Sequence, residues 1–452
     1  VESNSCNESP LPRRCAAFLA LNLAGNGPYA NQWHCFPPTA LVTQAENTKI
    51  LVPMPEIWIT GIGIVSPLGI GRENVLDALL ERKSGIGPVT HFETGDFPVG
   101  LAAEVKDFRA RDYVKNRKAL KVSRLNIHLA LAAGKLAWDD AGLEGRADPN
   151  RTGVVMSAGR ITANLMEVCF PVRNSIDENG KLDLSEYARQ APDYMPPYWF
   201  LRHIPNLVPG HISIELGLKG PSNTNCMTVV GGLLALEEAA RIIERDDADV
   251  MLAGGADTLV EPYHLITHLQ KGRLDTRKEG VPCPFDTNAR GTVLGDGSTV
   301  LVLENAATAK AQGKSPLAVL ERFDYGKTVD VPFEGPPRLL RKPEGTPQAA
   351  VTALAGTGVR DFDALEIELA GESDTTCYRA LSGWMAGSNG PHDLACLLIE
   401  AGTGEIRPCP QVQDPILGDG RWGGRKIGSG DVLGVQCLSW EGQFASLKVR
   451  LP

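Results

Sequence analysis

The chain has no surplus of positive charge. Lys and Arg number 45 against 54 Asp and Glu, giving a formal net charge of −9 and a pI near 5.5. A nucleic-acid binder normally shows a basic face and a high pI, so that class is set aside. Long apolar runs are missing as well: none approaches the ~18–20 residues that span a bilayer. No Gly-x-x-x-x-Gly-Lys-Ser/Thr phosphate loop occurs: Gly313-Lys314-Ser315 and Gly326-Lys327-Thr328 both lack the earlier glycine. The ten cysteines, at 6, 15, 35, 169, 226, 283, 377, 396, 409 and 437, include no close pair of zinc-ribbon spacing. The expectation is reduced thiols in a cytoplasmic protein, with no metal. What is present is an ordinary globular balance, 43% apolar and 22% charged, enough apolar surface to offset the entropy of ordering a chain.

Residues 1–53 differ from the rest. They are rich in Asn, Cys, Pro and Ala and hold no sustained period. Arg13-Arg14 ahead of Cys15 looks like the start of a signal peptide, but Asn22 interrupts the apolar stretch and no small-x-small site follows. The reading is an extension outside the fold, which would begin at Met54. From there strand and helix patterns alternate. Residues 56–65, 151–157, 249–253 and 299–303 predict buried strands. Residues 72–82, 123–141, 231–245 and 305–312 predict helices. Such alternation predicts an α/β protein with helices layered on a mostly parallel sheet. Farther on, 347–354 and 395–401 are read as helical, 365–369 and 446–450 as strands, and 325–347 as a linker or surface loop.

Most single motifs are weak. Gly61-Ile-Gly63 after a strand lacks the third glycine of a dinucleotide site. His264 and His268 share a helix face, but Leu265 stands where a zinc protease needs Glu. The informative stretch is 216–243, where a strand turns sharply into a helix N-terminus. Free N–H groups and the helix dipole stabilise a thiolate or an oxyanion at such a place.

Four segments carry a resemblance. Residues 59–69 read Ile-Thr-Gly-Ile-Gly-Ile-Val-Ser-Pro-Leu-Gly, and 217–222 read Gly-Leu-Lys-Gly-Pro-Ser. Residues 248–257 read Ala-Asp-Val-Met-Leu-Ala-Gly-Gly-Ala-Asp, and 284–297 read Pro-Phe-Asp-Thr-Asn-Ala-Arg-Gly-Thr-Val-Leu-Gly-Asp-Gly. In this order they resemble the β-ketoacyl-acyl-carrier-protein synthases, condensing enzymes of the thiolase-like superfamily. The resemblance implies an αβαβα sandwich of two similar halves, 54–306 and 307–452, the second shortened. It also implies a dimer, a carrier-protein partner and no cofactor.

The family's chemistry needs a Cys nucleophile at the elbow, two His and a supporting Lys. Matching Gly220-Pro-Ser222 and 239–243 without a gap places Val229 at the nucleophile position. Cys226, three residues earlier, serves only if the loop is realigned. With 365–369 as the preceding strand, Ala370 takes the first His position. Arg379 takes the Lys position and Trp384 the second His. The glycine turn that gates the acyl pocket corresponds to 439–442, giving Trp440 and Gly442 as substrate-side residues. Val has no thiol, Ala moves no proton, indole is no base near neutral pH, and Arg stays charged. The leading expectation is therefore a non-catalytic subunit, similar in role to a chain-length factor, forming a homodimer or a heterodimer with an active ketosynthase. The alternatives are an active 3-oxoacyl synthase or malonyl-thioester decarboxylase, with Cys226 as the fallback nucleophile, and a homologue that only binds acyl carrier protein. Basic residues at 109–111 and 115–121 could face an acidic carrier.

Overall fold

The computed structural model describes residues 55–452 apart from 160–164, 196, 278–279, 281, 330–337, 340–347, 410 and 417–420. The readings made for 1–53 lie outside these residues. Ten strands form one hydrogen-bonded path. In chain order they are β1 (Ile57–Ser66), β2 (Thr152–Ala158), β3 (Ser222–Asn225), β4 (Val250–Thr258), β5 (Asp296–Asn305), β6 (Ala318–Val329), β7 (Val351–Ala353), β8 (Asp374–Thr376), β9 (Val432–Leu438) and β10 (Gln443–Arg450). The path runs β8-β7-β9-β10-β6-β1-β5-β4-β2-β3. Its middle junction rests on two pairs, Trp58 with Val319 and Ile59 with Ala318.

Either side of that junction the order is the same. Counting strands one to five within each run, both read 3-2-4-5-1. The directions repeat too. In the first run β2 pairs parallel with β3 and β4, while β5 is antiparallel to β4 and β1. In the second, β7 pairs parallel with β8 and β9, while β10 is antiparallel to β9 and β6. The expected pair of similar α/β halves is thus present as topology.

The helices packed on these strands or lining the site are α1 (Arg72–Leu80), α2 (Leu125–Asp140), α3 (Leu207–Leu216), α4 (Gly231–Glu244), α5 (Pro262–Gln270), α6 (Arg360–Ala370) and α7 (Asn389–Ala401); further helices, Leu165–Asn174 and Leu184–Tyr194 among them, lie between. Strand alternation sends successive side chains to opposite faces. Val154, Met156, Leu252, Val300 and Val302 meet α2 and α3 on one face of the first run. Val155, Met251, Ala253, Leu301 and Leu303 meet α4 and α7 on the other. Helix α4 also touches β10, and α7 also packs on β9. These two helices therefore form the middle layer, which explains why every residue of α7 is buried. Each fully buried Leu or Ile there contributes roughly 1.5–3 kcal/mol. Helix α6 lies against β9, completing five layers.

The two runs are not equally covered. Strand β5 is buried along nearly its whole length, whereas its counterpart β10 alternates, with Ser446, Lys448 and Arg450 half-exposed. One face of the second run is open to solvent there, among the described residues.

Two sequence expectations are corrected. Residues 365–369 are helix, not strand: they belong to α6. The alternation Leu-Glu-Ile-Glu-Leu is misleading because Glu366 is itself buried, its carboxylate accepting the N–H groups of Gly356 at 2.8 Å and Leu438 at 3.0 Å. Asp361 and Asp363 in the first turn favour the helix. Conversely 347–354 holds β7, where the pairing of Val351-Thr352-Ala353 with β9 and β8 overrides the helical pattern. Tyr325 lies within β6; most of the supposed linker after it is outside the described residues.

Candidate functional site

Each middle-layer helix is entered through a short 3-10 turn, Thr228–Val230 before α4 and Ala386–Ser388 before α7. Both turns open on a non-glycine residue in the left-handed region, Thr228 at φ 47° and Ala386 at φ 45°. Such backbone is strained by roughly 1–3 kcal/mol per residue and is characteristic of functional sites. The two turns cross at closest approach. A Cβ on Gly232 would lie 2.2 Å from the Gly387 carbonyl oxygen, and a Cβ on Gly255 equally close. Only glycine allows these backbones to meet.

Val229 sits in the first turn, 1% exposed, directly ahead of the α4 N-terminus. Cys226 is exposed on the loop between β3 and the turn. Its thiol is pushed up by partial burial and by the nearby Asp257 carboxylate, away from thiolate character. Trp384 is buried; its backbone N–H donates to the Val293 carbonyl at 2.7 Å and its backbone carbonyl accepts from the Gly295 N–H at 2.9 Å, pinning it to the approach to β5. Arg379 is buried and paired with Asp393 at 3.1 Å, and it reaches Cys437 Sγ at 3.3 Å. Trp440 and Gly442 occupy the hairpin turn between β9 and β10, where Gly442 supplies φ 76°. Trp440 folds inward and is 5% exposed.

Ala370 is corrected. It ends α6 and lines a cavity with Asp324, Thr352 and Gln436. The cleft beside the elbow has a different lining, which includes Thr228, Asp257, His268, Arg273, Trp384 and Trp440. Gly356-Thr357 lies just after β7, with the buried Ala355 in front of it. The sequence also gave no hint of His268, Arg273 and Asp257 as neighbours of Trp384 and Trp440, because they converge from separate elements.

Asp257, at the end of β4, ties the region together. Its carboxylate accepts N–H bonds from Gly159 at 2.5 Å and from Gly387 at 2.7 Å. Burial nevertheless pushes its pKa up to about 7, and burial pushes Glu366 up to about 8. Both values lie above the ordinary carboxylate range near 4. The neutral form is favoured in the fold, so these groups add stability that is complete below about pH 4. That stability is lost as pH rises through 7 and 8. Thermal unfolding is therefore expected at a lower midpoint at pH 8.5 than at pH 5.5. A midpoint that holds or rises over this span would contradict the assignment.

Among the described residues no cluster of three or more His, Cys, Asp or Glu could hold a metal. Among the same residues no helix is long and apolar enough to cross a membrane.

Comparison with known proteins agrees with this geometry. The family model described as "Beta-ketoacyl synthase, N-terminal domain" matches residues 54–309. The chain is 31% identical over 391 residues to the Streptomyces coelicolor protein "Actinorhodin polyketide putative beta-ketoacyl synthase 2", covering 81% of this chain and 92% of that one. It is 35% identical over 274 residues to a 3-oxoacyl-[acyl-carrier-protein] synthase 2 of Vibrio harveyi, covering 59% of this chain and 62% of the relative. Among solved structures, the ishigamide ketosynthase/chain length factor superposes with a TM-score of 0.73 at 20% identity, over 88% of this chain and 100% of that one. A ketosynthase structure described as a type II PKS acyl-carrier protein in complex with its ketosynthase bound to the hexaketide gives 0.70 at 19%, over the same shares.

Proposed function

The chain belongs to the β-ketoacyl synthase family of fatty-acid and polyketide synthesis, and on that premise we propose that it is a non-catalytic ketosynthase-like subunit of the chain-length-factor kind. The observation that carries the reading is Val229. The strained turn, the crossing glycines and the helix N-terminus are all retained, yet the side chain they present has no nucleophilic atom. Ala355 and Trp384 likewise stand where proton-handling histidines would be needed, and Arg379 is engaged with Asp393. The scaffold is kept while the chemistry is gone.

Such a subunit acts through partners. Strand β3 ends the sheet with an open edge of half-exposed and exposed polar residues, a natural place for a strand of a second thiolase-like subunit. The basic segment around Lys115, Arg117, Lys118 and Lys121 suits an acidic carrier protein. A catalytic reading through Cys226 is disfavoured, because its thiol is pushed up where a nucleophile needs a depressed value.

The test is direct. Full-length protein is incubated with radiolabelled acyl- and malonyl-carrier protein, alone and after co-expression with a ketosynthase from its own source. Alone, it should retain no acyl label and form no β-ketoacyl product; co-expressed, it should purify as a complex with the ketosynthase. Covalent label on Cys226, or condensation by the isolated chain, would overturn the reading.

A further inference from the structure

The cleft beside the elbow is filled from inside. Trp384, from the turn ahead of α7, and Trp440, from the β9–β10 hairpin turn, have ring centroids 4.6 Å apart. His268, from the last turn of α5, lies 5.3 Å from Trp384 and 5.2 Å from Trp440. Three separate elements thus place one ring each into a single cluster, and both indoles are almost wholly buried. Arg273 closes it from above. Its guanidinium carbon stands 4.5 Å from the centre of the Trp440 ring, and its Nη1 lies 3.7 Å from Glu441 of the same turn. The backbone holds that arginine in place: Arg273 N–H donates to the His268 carbonyl at 3.0 Å, and its own carbonyl accepts from Thr292 at 2.9 Å. The space left in the cleft is about 80 Å³. Sites that bury a ligand of drug size enclose roughly 300–1,000 Å³.

We propose that Arg273 is the latch of an internal plug, holding the Trp440 turn down on Trp384 and His268 so that this subunit's cleft excludes acyl chains. The inference rests on the non-catalytic reading and extends it: no acyl chain is held in this subunit's own cleft. The contacts suit a latch. A cation over a buried aromatic face is held more firmly than an exposed ion pair, and Glu441 is the exposed member here. Removing the guanidinium frees the hairpin turn without touching the buried elbow.

The probe is a fluorescent long-chain acid, 11-(dansylamino)undecanoic acid, titrated into the full-length protein. The wild type should give no saturable enhancement. Arg273→Ala should acquire saturable binding, at least about tenfold tighter than any residual wild-type binding. Arg273→Lys, which keeps the charge but not the flat guanidinium, should fall between. A Trp384→Ala, Trp440→Ala double variant should bind as well as Arg273→Ala or better. Saturable wild-type binding equal to that of Arg273→Ala would overturn the latch. So would a folded Arg273→Ala protein, with unchanged circular dichroism, that binds no probe. Arg273 lies at the rim, so this variant remains informative if the double variant fails to fold. The carrier-protein labelling experiment reports on the parent reading separately: acylation of the wild type would overturn non-catalysis, whereas a flat Arg273→Ala titration would remove only the latch.

Discussion

Replacing Gly232 by alanine is expected to cost the protein about 3 kcal/mol or more of its stability, and valine in its place to abolish soluble expression. The added Cβ would stand 2.2 Å from the Gly387 carbonyl oxygen and 2.4 Å from Pro391 Cδ. The first obstacle is backbone, so no rotamer change relieves it; α4 and α7 must separate. Overpacking a core costs roughly 1–3 kcal/mol per misfit, and displacing two central helices lies at the upper end or beyond. A typical domain has only about 5–15 kcal/mol in hand. Gly210 provides the control. It lies in α3 with nothing within 4 Å of a built Cβ. Alanine there should stabilise by roughly 0.5–1 kcal/mol, because glycine is a poor helix former. Urea unfolding of the two variants should move in opposite directions; a Gly232→Ala protein as stable as the wild type would show that the helices do not cross as described.

Arg379→Leu is expected to destabilise by about 3–5 kcal/mol. The guanidinium is 2% exposed and its partner Asp393 is fully buried, with His392 also 3.4 Å from that carboxylate. Removing the arginine leaves a buried carboxylate without its counter-charge, which is worse than removing both. The double variant Arg379→Leu, Asp393→Leu should recover most of the loss. A double-mutant cycle by urea unfolding measures this; additive losses would mean that the pair is not coupled. This result bears on function as well. Under the proposed reading Arg379 stands in for the family's supporting lysine, and its charge serves instead to join the approach to α7 with β9, through Asp393 and Cys437.

How much of this was legible in the sequence differs between the halves. The first half reads well because β1, β2, β4 and β5 are covered on both faces and appear as unbroken apolar runs, such as 299–303. The second half gives mixed signals. Glu366 is polar by type but buried by position, so α6 resembles an alternating strand. Val351–Ala353 is only three residues long and is defined by its neighbours in the sheet. Reading α6 as a strand is what made Ala370 a candidate site residue. The turn that holds Val229 at the head of a helix was legible, because Gly220 and the Gly231-Gly232 pair mark it on either side. The aromatic cluster was not. Trp384, Trp440 and the His268–Arg273 pair meet only after three segments far apart in sequence have folded together.

The 3-2-4-5-1 order has a consequence for the nascent chain. Strand β1 is first out of the ribosome but pairs chiefly with β5, whose last residue is Asn305. At a synthesis rate of about 5–20 residues per second, β1 waits on the order of 10–50 s for its partner. Until then Ile57, Ile59, Ile62 and Ile64, all buried in the finished fold, lack the strand neighbour that completes their cover. The second half repeats the delay when β6 waits for β10 at the very end of the chain. A holding chaperone, or a partner subunit already made, would find its longest window on this pair of strands.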